Sequence, residues 1–173
     1  MIKDISADFK YNPKDAYYAK KLLKYEGKPE AILYLDSIAG NLSDYAYWFC
    51  LSTQWVSYTG WSELETWKRL FDSTRPSKQT SLMKPSELCV LARFANEISI
   101  YRAHRPGETD WIAYTINPEV ALRFCQERGA DEYAEYIVRK EDITALFLRR
   151  KEFEIIVTDR SKANFVRNHR IDL

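Results

Sequence analysis

Residues 151–157 read Lys-Glu-Phe-Glu-Ile-Ile-Val, and the alternation of polar and apolar side chains predicts a β-strand. Side chains alternate along a strand, so Glu152 and Glu154 are expected on one face. Two neighbouring carboxylates repel each other unless a positive charge approaches, which favours a site for a cationic substrate or a developing positive charge. Glu-x-Glu is also common on ordinary exposed strands, so the spacing alone leaves both interpretations open. The residues expected to point into a core are Phe153, Ile155 and Val157.

Composition limits the class of protein. A chain of 173 residues suits one domain, or a compact domain with a helical extension, and 46% hydrophobic content is enough to bury a core. The formal net charge of +1 makes nucleic acid an unexpected partner. No apolar run follows the N-terminal methionine, and no segment is long enough for a membrane span. We therefore expect a cytoplasmic protein with no membrane partner.

The cysteines and histidines do not suggest a metal site. The three cysteines are an odd number without close spacing, which indicates a reducing compartment rather than a disulfide framework or a zinc site. The two histidines, His104 and His169, are far apart in the sequence. No metal is therefore expected.

Helix signals dominate residues 1–97, which we predict to form a helical lobe. Predicted helices occupy 14–25, 29–38 and a stretch after Ser43, and two more contain Trp67 and Leu91. Ser62 and Glu65 have the spacing of a capping box for the fourth helix. The polar residues 72–84 are predicted to form a loop. The core of the lobe is expected to contain four tryptophans, Trp48, Trp55, Trp61 and Trp67.

Strand signals dominate residues 98–173, which we predict to form a β-rich core. Alternation predicts strands over 98–104, 111–116, 133–139 and 152–158. Asn117 and Pro118 predict the start of a helix that ends at Gly129. Residues 142–147 are expected to be a short helical or irregular crossover, and residues 162–173 a short helix or a further strand. The fold class is therefore α+β, with one compact domain overall.

Three segments follow one another in an informative order. Arg102 follows an aromatic residue on the first predicted strand, Tyr114 and Thr115 precede the capped helix, and Glu152 and Glu154 lie on the last strand. This order resembles the arginine-type mono-ADP-ribosyltransferases, in which an Arg strand, a Ser/Thr strand and Glu-x-Glu succeed one another. The similarity is greatest to small phage and prophage members. It covers roughly residues 98–157.

The resemblance implies a mixed β-sheet core that uses NAD as a substrate. Glu154 would stabilise the oxocarbenium-like transition state as the nicotinamide–ribose bond breaks. Glu152 would orient an acceptor guanidinium, so the favoured product is an ADP-ribosylated arginine on a host protein, in the host cytoplasm if the chain is phage-encoded. Residues implied to bind NAD are Arg102, Thr115, Tyr101 and Tyr114.

Two other functions remain open. Water in place of the protein acceptor would make the chain an NAD glycohydrolase. A binding or inhibitor protein on the same scaffold, without catalysis, is favoured by Ala113, which stands where the family has its first serine. Single residues also have structural interpretations, because Arg102 would also suit an ion pair with a carboxylate on a neighbouring strand, and Thr115 is a common strand residue.

Overall fold

The computed structural model describes residues 3–171, and these form two compact units, 3–89 and 90–171. The first unit is helical and the second contains a six-stranded sheet. The α+β class predicted from the sequence is confirmed.

Helices build the first unit. Short 3-10 turns at Leu23–Tyr25 and Ala39–Asn41 extend the first two helices. The last helix, Pro85–Ala92, contains the point after Cys89 at which the chain passes from the first unit to the second. The helices are α1 (Pro13–Leu22), α2 (Glu30–Ile38), α3 (Asp44–Ser57), α4 (Leu64–Phe71), α5 (Lys78–Leu82) and α6 (Pro85–Ala92).

At α1 and α3 the helix begins with the side-chain cap that the sequence predicted, whereas at α4 it does not. Asn12 accepts hydrogen bonds from the amides of Lys14 and Asp15, and Ser43 caps α3 as predicted. The capping box predicted at Ser62 is wrong, because α4 begins at Leu64 after Glu63, whose φ of 62° is left-handed and whose side chain makes no cap.

Other differences concern the predicted loop and the tryptophans. Helix α5 lies within the predicted loop 72–84, so that prediction is wrong. Trp48 and Trp67 are fully buried, and Trp55 packs edge-to-face against Trp67. Trp61 is 74% exposed in the irregular segment before α4, so it does not belong to the core.

The second unit is organised by the sheet. Its strands are β1 (Glu97–Arg102), β2 (Ala113–Thr115), β3 (Glu132–Arg139), β4 (Ala145–Phe147), β5 (Glu154–Ile156) and β6 (Ala163–Arg170). The strand order is β4-β5-β2-β1-β3-β6, and within the described residues every pairing is antiparallel, so the sheet is not the mixed one expected. The short strand β4 lies within residues 142–147, where a helical or irregular crossover was predicted. Of the two alternatives predicted for residues 162–173, a helix or a strand, the structure shows the strand β6.

Helix α7 (Pro118–Arg128) connects β2 to β3. Its cap is Asn117, which accepts from the Glu119 amide, and it ends at Gly129 with a φ of 64°, both as predicted. The residues that α7 buries are Val120, Ala121 and Cys125.

The segment before β5 is less regular than its alternation suggested. The strand begins only at Glu154, because Lys151 and Phe153 have positive φ values of 57° and 48°. Phe153 is 38% exposed, so its predicted place in the core is wrong, whereas Ile155 and Val157 are fully buried. The two glutamates therefore do not belong to one continuous strand.

None of the helices within residues 3–171 combines the length and apolar character that a membrane crossing requires.

Replacing Asp15 by Ala should lower the free energy of unfolding of the helical unit by about 1–3 kcal/mol. The buried carboxylate accepts hydrogen bonds from the Ser43 amide at 2.9 Å and the Ser43 hydroxyl at 2.6 Å, and the substitution leaves these donors unpaired. Urea unfolding followed by tryptophan fluorescence measures the change. The control is Asp36→Ala, which removes a more exposed ion pair with Arg69 and should cost less than about 1 kcal/mol. Equal losses in both variants would contradict the assigned role of Asp15.

Candidate functional site

A single register row crosses all six strands of the sheet. Directly paired residues on antiparallel strands place their side chains on the same face, so the members of this row share one face. We call it the cross-sheet row. In strand order it consists of Phe147, Glu154, Thr115, Tyr101, Glu135 and Arg167.

Glu154 occupies the first position of β5, directly opposite Thr115. The residue is only 8% exposed, so its carboxylate is held largely out of water. Burial of a carboxylate is costly unless a positive charge or hydrogen-bond donors approach it. The sequence placed Glu154 at the centre of the predicted site, and the structure puts it beside Thr115 on the same face.

The hydroxyl of Thr115 ties β2 to the segment before β5. It donates to the Glu152 carbonyl at 2.7 Å and accepts from the Asn117 amide at 3.1 Å. These bonds use its one O–H donor and one of its acceptor pairs. Thr115 therefore positions the backbone of Glu152 and the start of α7, a role beyond strand formation.

A guanidinium lies against the two glutamates. Arg150 Nη2 is 2.9 Å from Glu152 Oε2 and 3.9 Å from Glu154 Oε1. The positive charge offsets the repulsion between the carboxylates, and the planar guanidinium suits carboxylate oxygens. The sequence predicted a cation between these glutamates, but it gave no indication that the chain itself supplies one.

The other end of the cross-sheet row is a polar cluster around Glu135. This buried carboxylate accepts from Ser99 Oγ at 3.1 Å and Arg167 Nε at 3.0 Å, and it lies 2.7 Å from His169 Nε2. The hydrogen bond from His169 is the main cause of the lowered pKa of Glu135. The partners of Glu135 come from the two neighbouring strands, β1 and β6, and were not predicted, although the alternation of 133–139 places Glu135 on one face of a predicted strand.

Tyr101 lies between the two acidic positions of the row. Its ring packs edge-on against Tyr133, with centroids 6.0 Å apart, and against His169 at 6.1 Å. Tyr133 stacks on His169 at 4.9 Å. Tyr101 is therefore part of an aromatic group on the same face as Glu154.

Arg102 and Tyr114 lie on the opposite face, because each is one residue away from a member of the row. Arg102 Nε donates to Glu108 at 3.0 Å, Nη2 donates to the second oxygen of Glu108, and Nη1 donates to the Ala113 carbonyl at 2.6 Å. Tyr114 is buried, its hydroxyl accepts from Trp111 Nε1 at 2.9 Å, and burial raises its pKa to about 12. The structure does not bring these two side chains together with Glu154.

Glu108 is the centre of the cluster on that opposite face. Besides Arg102 it contacts His104 Nδ1 at 2.8 Å, and His104 Nε2 contacts the Tyr136 hydroxyl at 2.7 Å. Burial alone would raise the pKa of Glu108, but hydrogen bonds from His104 and Arg102, together with their charge, lower it to about 2. Glu108 therefore fixes the loop 103–112 to β1.

The described part of the chain contains no group of three or more His, Cys, Asp or Glu side chains that is arranged to hold a metal ion.

Comparisons of this chain with protein-family models, with curated proteins and with solved structures find no match. The arrangement of the cross-sheet row, with Arg150 and Glu152 beside it, is therefore the basis for assigning a function.

Replacing Glu108 by Gln should lower the free energy of unfolding of the sheet unit by about 3 kcal/mol at pH 7, because it breaks a buried ion pair. The folded-state pKa of about 2 lies below the ordinary value of 4.5, so the ionised carboxylate stabilises the fold above about pH 4.5. This contribution is lost as the pH falls through 2. Urea unfolding at several pH values measures it.

The difference between wild type and this variant should therefore shrink steadily from pH 4.5 to pH 2. Glu127→Gln is the control. Glu127 pairs with Arg123 at 3.7 Å on the exposed side of α7, so this substitution should lower the free energy of unfolding by less than about 1 kcal/mol. A difference that stays constant across this pH range would argue against the role of the Glu108 charge.

Proposed function

We propose that this chain transfers ADP-ribose from NAD to the guanidinium of an arginine on a protein acceptor. The observation that supports the proposal best is the pair of carboxylates, Glu152 and Glu154, with a guanidinium 2.9 and 3.9 Å away. The pair already binds the chemical group that an arginine acceptor would present.

The first step breaks the bond between nicotinamide and the ribose C1′, and positive charge develops on the ribose. Glu154 stabilises this charge and accepts a hydrogen bond from the ribose 2′-hydroxyl. Its low exposure strengthens the electrostatic effect, because little water competes for the carboxylate. Tyr101, on the same face, contacts the nicotinamide–ribose half of NAD, and the buried Thr115 acts on the site through its hydrogen bond to the Glu152 carbonyl.

The second step needs a neutral nitrogen on the acceptor. Glu152 orients the guanidinium and takes up the proton that it loses when the new C1′–N bond forms. Glu152 is held for this task by its carbonyl, which accepts from the Thr115 hydroxyl. The proposed acceptor is an arginine of a host protein, and the proposed compartment is the host cytoplasm.

The proposal gives Arg102 and Tyr114 no direct contact with NAD. Arg102 is engaged by Glu108 and by the Ala113 carbonyl, and Tyr114 is buried on the opposite face. Their part is to hold β1 and β2 in the register that places Thr115 beside Glu154.

A second candidate is a binding protein without catalysis. It is favoured by the engaged state of Arg102, which Glu108 holds on the face opposite to Glu154, and by Ala113 at the position of the family serine. In this case the cross-sheet row would contact a partner and NAD would not be cleaved.

Replacing Glu154 by Gln should lower the rate of nicotinamide release from NAD by about 10²–10³, which is typical for removal of one preorganised electrostatic group. The assay contains purified protein, labelled NAD and free arginine as acceptor, with nicotinamide and ADP-ribosyl-arginine measured separately. Glu152→Gln should reduce ADP-ribosyl-arginine more than it reduces nicotinamide release, because Glu152 acts on the acceptor. Glu141→Gln, an exposed residue paired with Arg139, is the control.

Each outcome separates the candidates. ADP-ribosyl-arginine formed by wild type and lost in the Glu154 variant supports the transferase. Free ADP-ribose without the arginine adduct indicates a glycohydrolase. Neither product, with no heat of NAD binding by calorimetry, contradicts the proposal and leaves the binding protein.

A further inference from the structure

We infer that the chain modifies itself, with Arg150 as the acceptor of ADP-ribose. This inference rests on the proposed function, because it uses the same pair of glutamates and the same substrate. It adds a modification site on the chain itself.

The position of Arg150 is the main argument. An arginine acceptor needs one guanidinium nitrogen within reach of the base Glu152 and close to Glu154, beside which the ribose C1′ is held. Arg150 Nη2 meets both requirements, at 2.9 Å from Glu152 and 3.9 Å from Glu154. The side chain is 27% exposed, so it is accessible to a substrate that approaches from solvent.

The backbone around Arg150 is shaped to hold it there. Lys151 and Phe153 both have left-handed φ values, which non-glycine residues rarely adopt. Such strain is retained where surrounding contacts impose it, and it concentrates at functional positions. The turn brings Arg150 back over the carboxylates that follow it in the sequence.

Neighbouring arginines do not share this placement. The guanidinium of Arg149 lies over the ring of Phe147, 5.3 Å from its centroid. Arg102 is held by Glu108 on the opposite face, and Arg167 is held by Glu135 at the far end of the cross-sheet row. Arg150 is therefore selected by geometry, and Arg149 supplies a matched comparison one residue away.

The reaction balances with NAD as the only co-substrate. The C1′–N bond to nicotinamide breaks, and neutral nicotinamide leaves with the electron pair. Nη2 of Arg150 forms the new bond to C1′ as its proton passes to Glu152 and then to water. No oxidant or reductant is needed. Each chain accepts one ADP-ribosyl group.

The test incubates purified wild-type protein with NAD and maps the product by mass spectrometry of the intact chain and of its peptides. We expect the mass of one ADP-ribosyl group on the peptide that contains Arg150, with fragmentation placing it on that side chain. The rate should be first order and independent of protein concentration, because donor site and acceptor belong to one molecule. Arg149→Lys should keep the modification and Arg150→Lys should lose it.

Several results would overturn the inference. The first is modification at a residue other than Arg150, and the second is a rate of modification that rises with protein concentration. The third is a wild-type chain that stays unmodified while it forms ADP-ribosyl-arginine from free arginine. The last result leaves the proposed function intact. If Arg150→Lys then speeds transfer to free arginine, Arg150 is a competitor of the acceptor instead. Failure to release nicotinamide even with free arginine present would contradict both proposals.

Discussion

The pairing of β2 with β5 is the constraint on which the candidate site depends. Thr115 lies opposite Glu154, the Ile116 amide donates to the Phe153 carbonyl at 3.1 Å, and the Thr115 hydroxyl donates to the Glu152 carbonyl at 2.7 Å. A slip of one residue would exchange the faces of Glu154 and Ile155 and place a carboxylate in the apolar position that Ile155 now fills, fully buried. The hydrophobic effect on one face therefore fixes the register that places the carboxylates on the other.

The two faces of the sheet divide the charged residues between different tasks. On one face, Glu108 and Arg102 form a buried pair that anchors the loop between β1 and β2, and His104 extends this network to Tyr136. Removing one partner of such a pair is costly, which makes it a strong determinant of local structure. On the other face, the carboxylate of Glu154 meets a guanidinium at the longer distance of 3.9 Å. The first arrangement holds the scaffold, and the second places a cation beside both carboxylates of the candidate site, since the same guanidinium is 2.9 Å from Glu152.

Local chemistry made part of the fold predictable. Asn12, Ser43 and Asn117 cap helices through hydrogen bonds within three residues, so their sequence pattern is sufficient. The capping box at Ser62 failed because the backbone turns into a left-handed conformation at Glu63, which no local pattern required. A short apolar run such as Ala145–Phe147 suits a helix or a strand equally, and only its pairing with β5 decides the outcome.

The candidate site, like the fold, was predictable only in part. Arg102, Thr115 and Glu154 were expected to line one site, and the strand order places Thr115 beside Glu154 but leaves Arg102 on the opposite face. The face of Arg102 depends on its register against β2 and on the carboxylate of Glu108, which approaches from a loop six residues later. The contact between Arg150 and the glutamates depends on the positive φ values of Lys151 and Phe153. Nonlocal pairing and backbone turns of this kind leave no periodic trace in a sequence.

The break in alternation at Phe153 also changes the expected chemistry of the glutamates. On a continuous strand, Glu152 and Glu154 would share a face by geometry alone and would await an external cation. Here the guanidinium of Arg150 contacts both, so under the proposed function an external arginine would have to displace a group tethered only a few residues away. A short tether gives an effective concentration on the order of millimolar, and an acceptor protein at lower concentration would compete poorly unless it contributed further contacts. Selectivity for a protein acceptor would then come from the surface around the site rather than from the glutamates themselves.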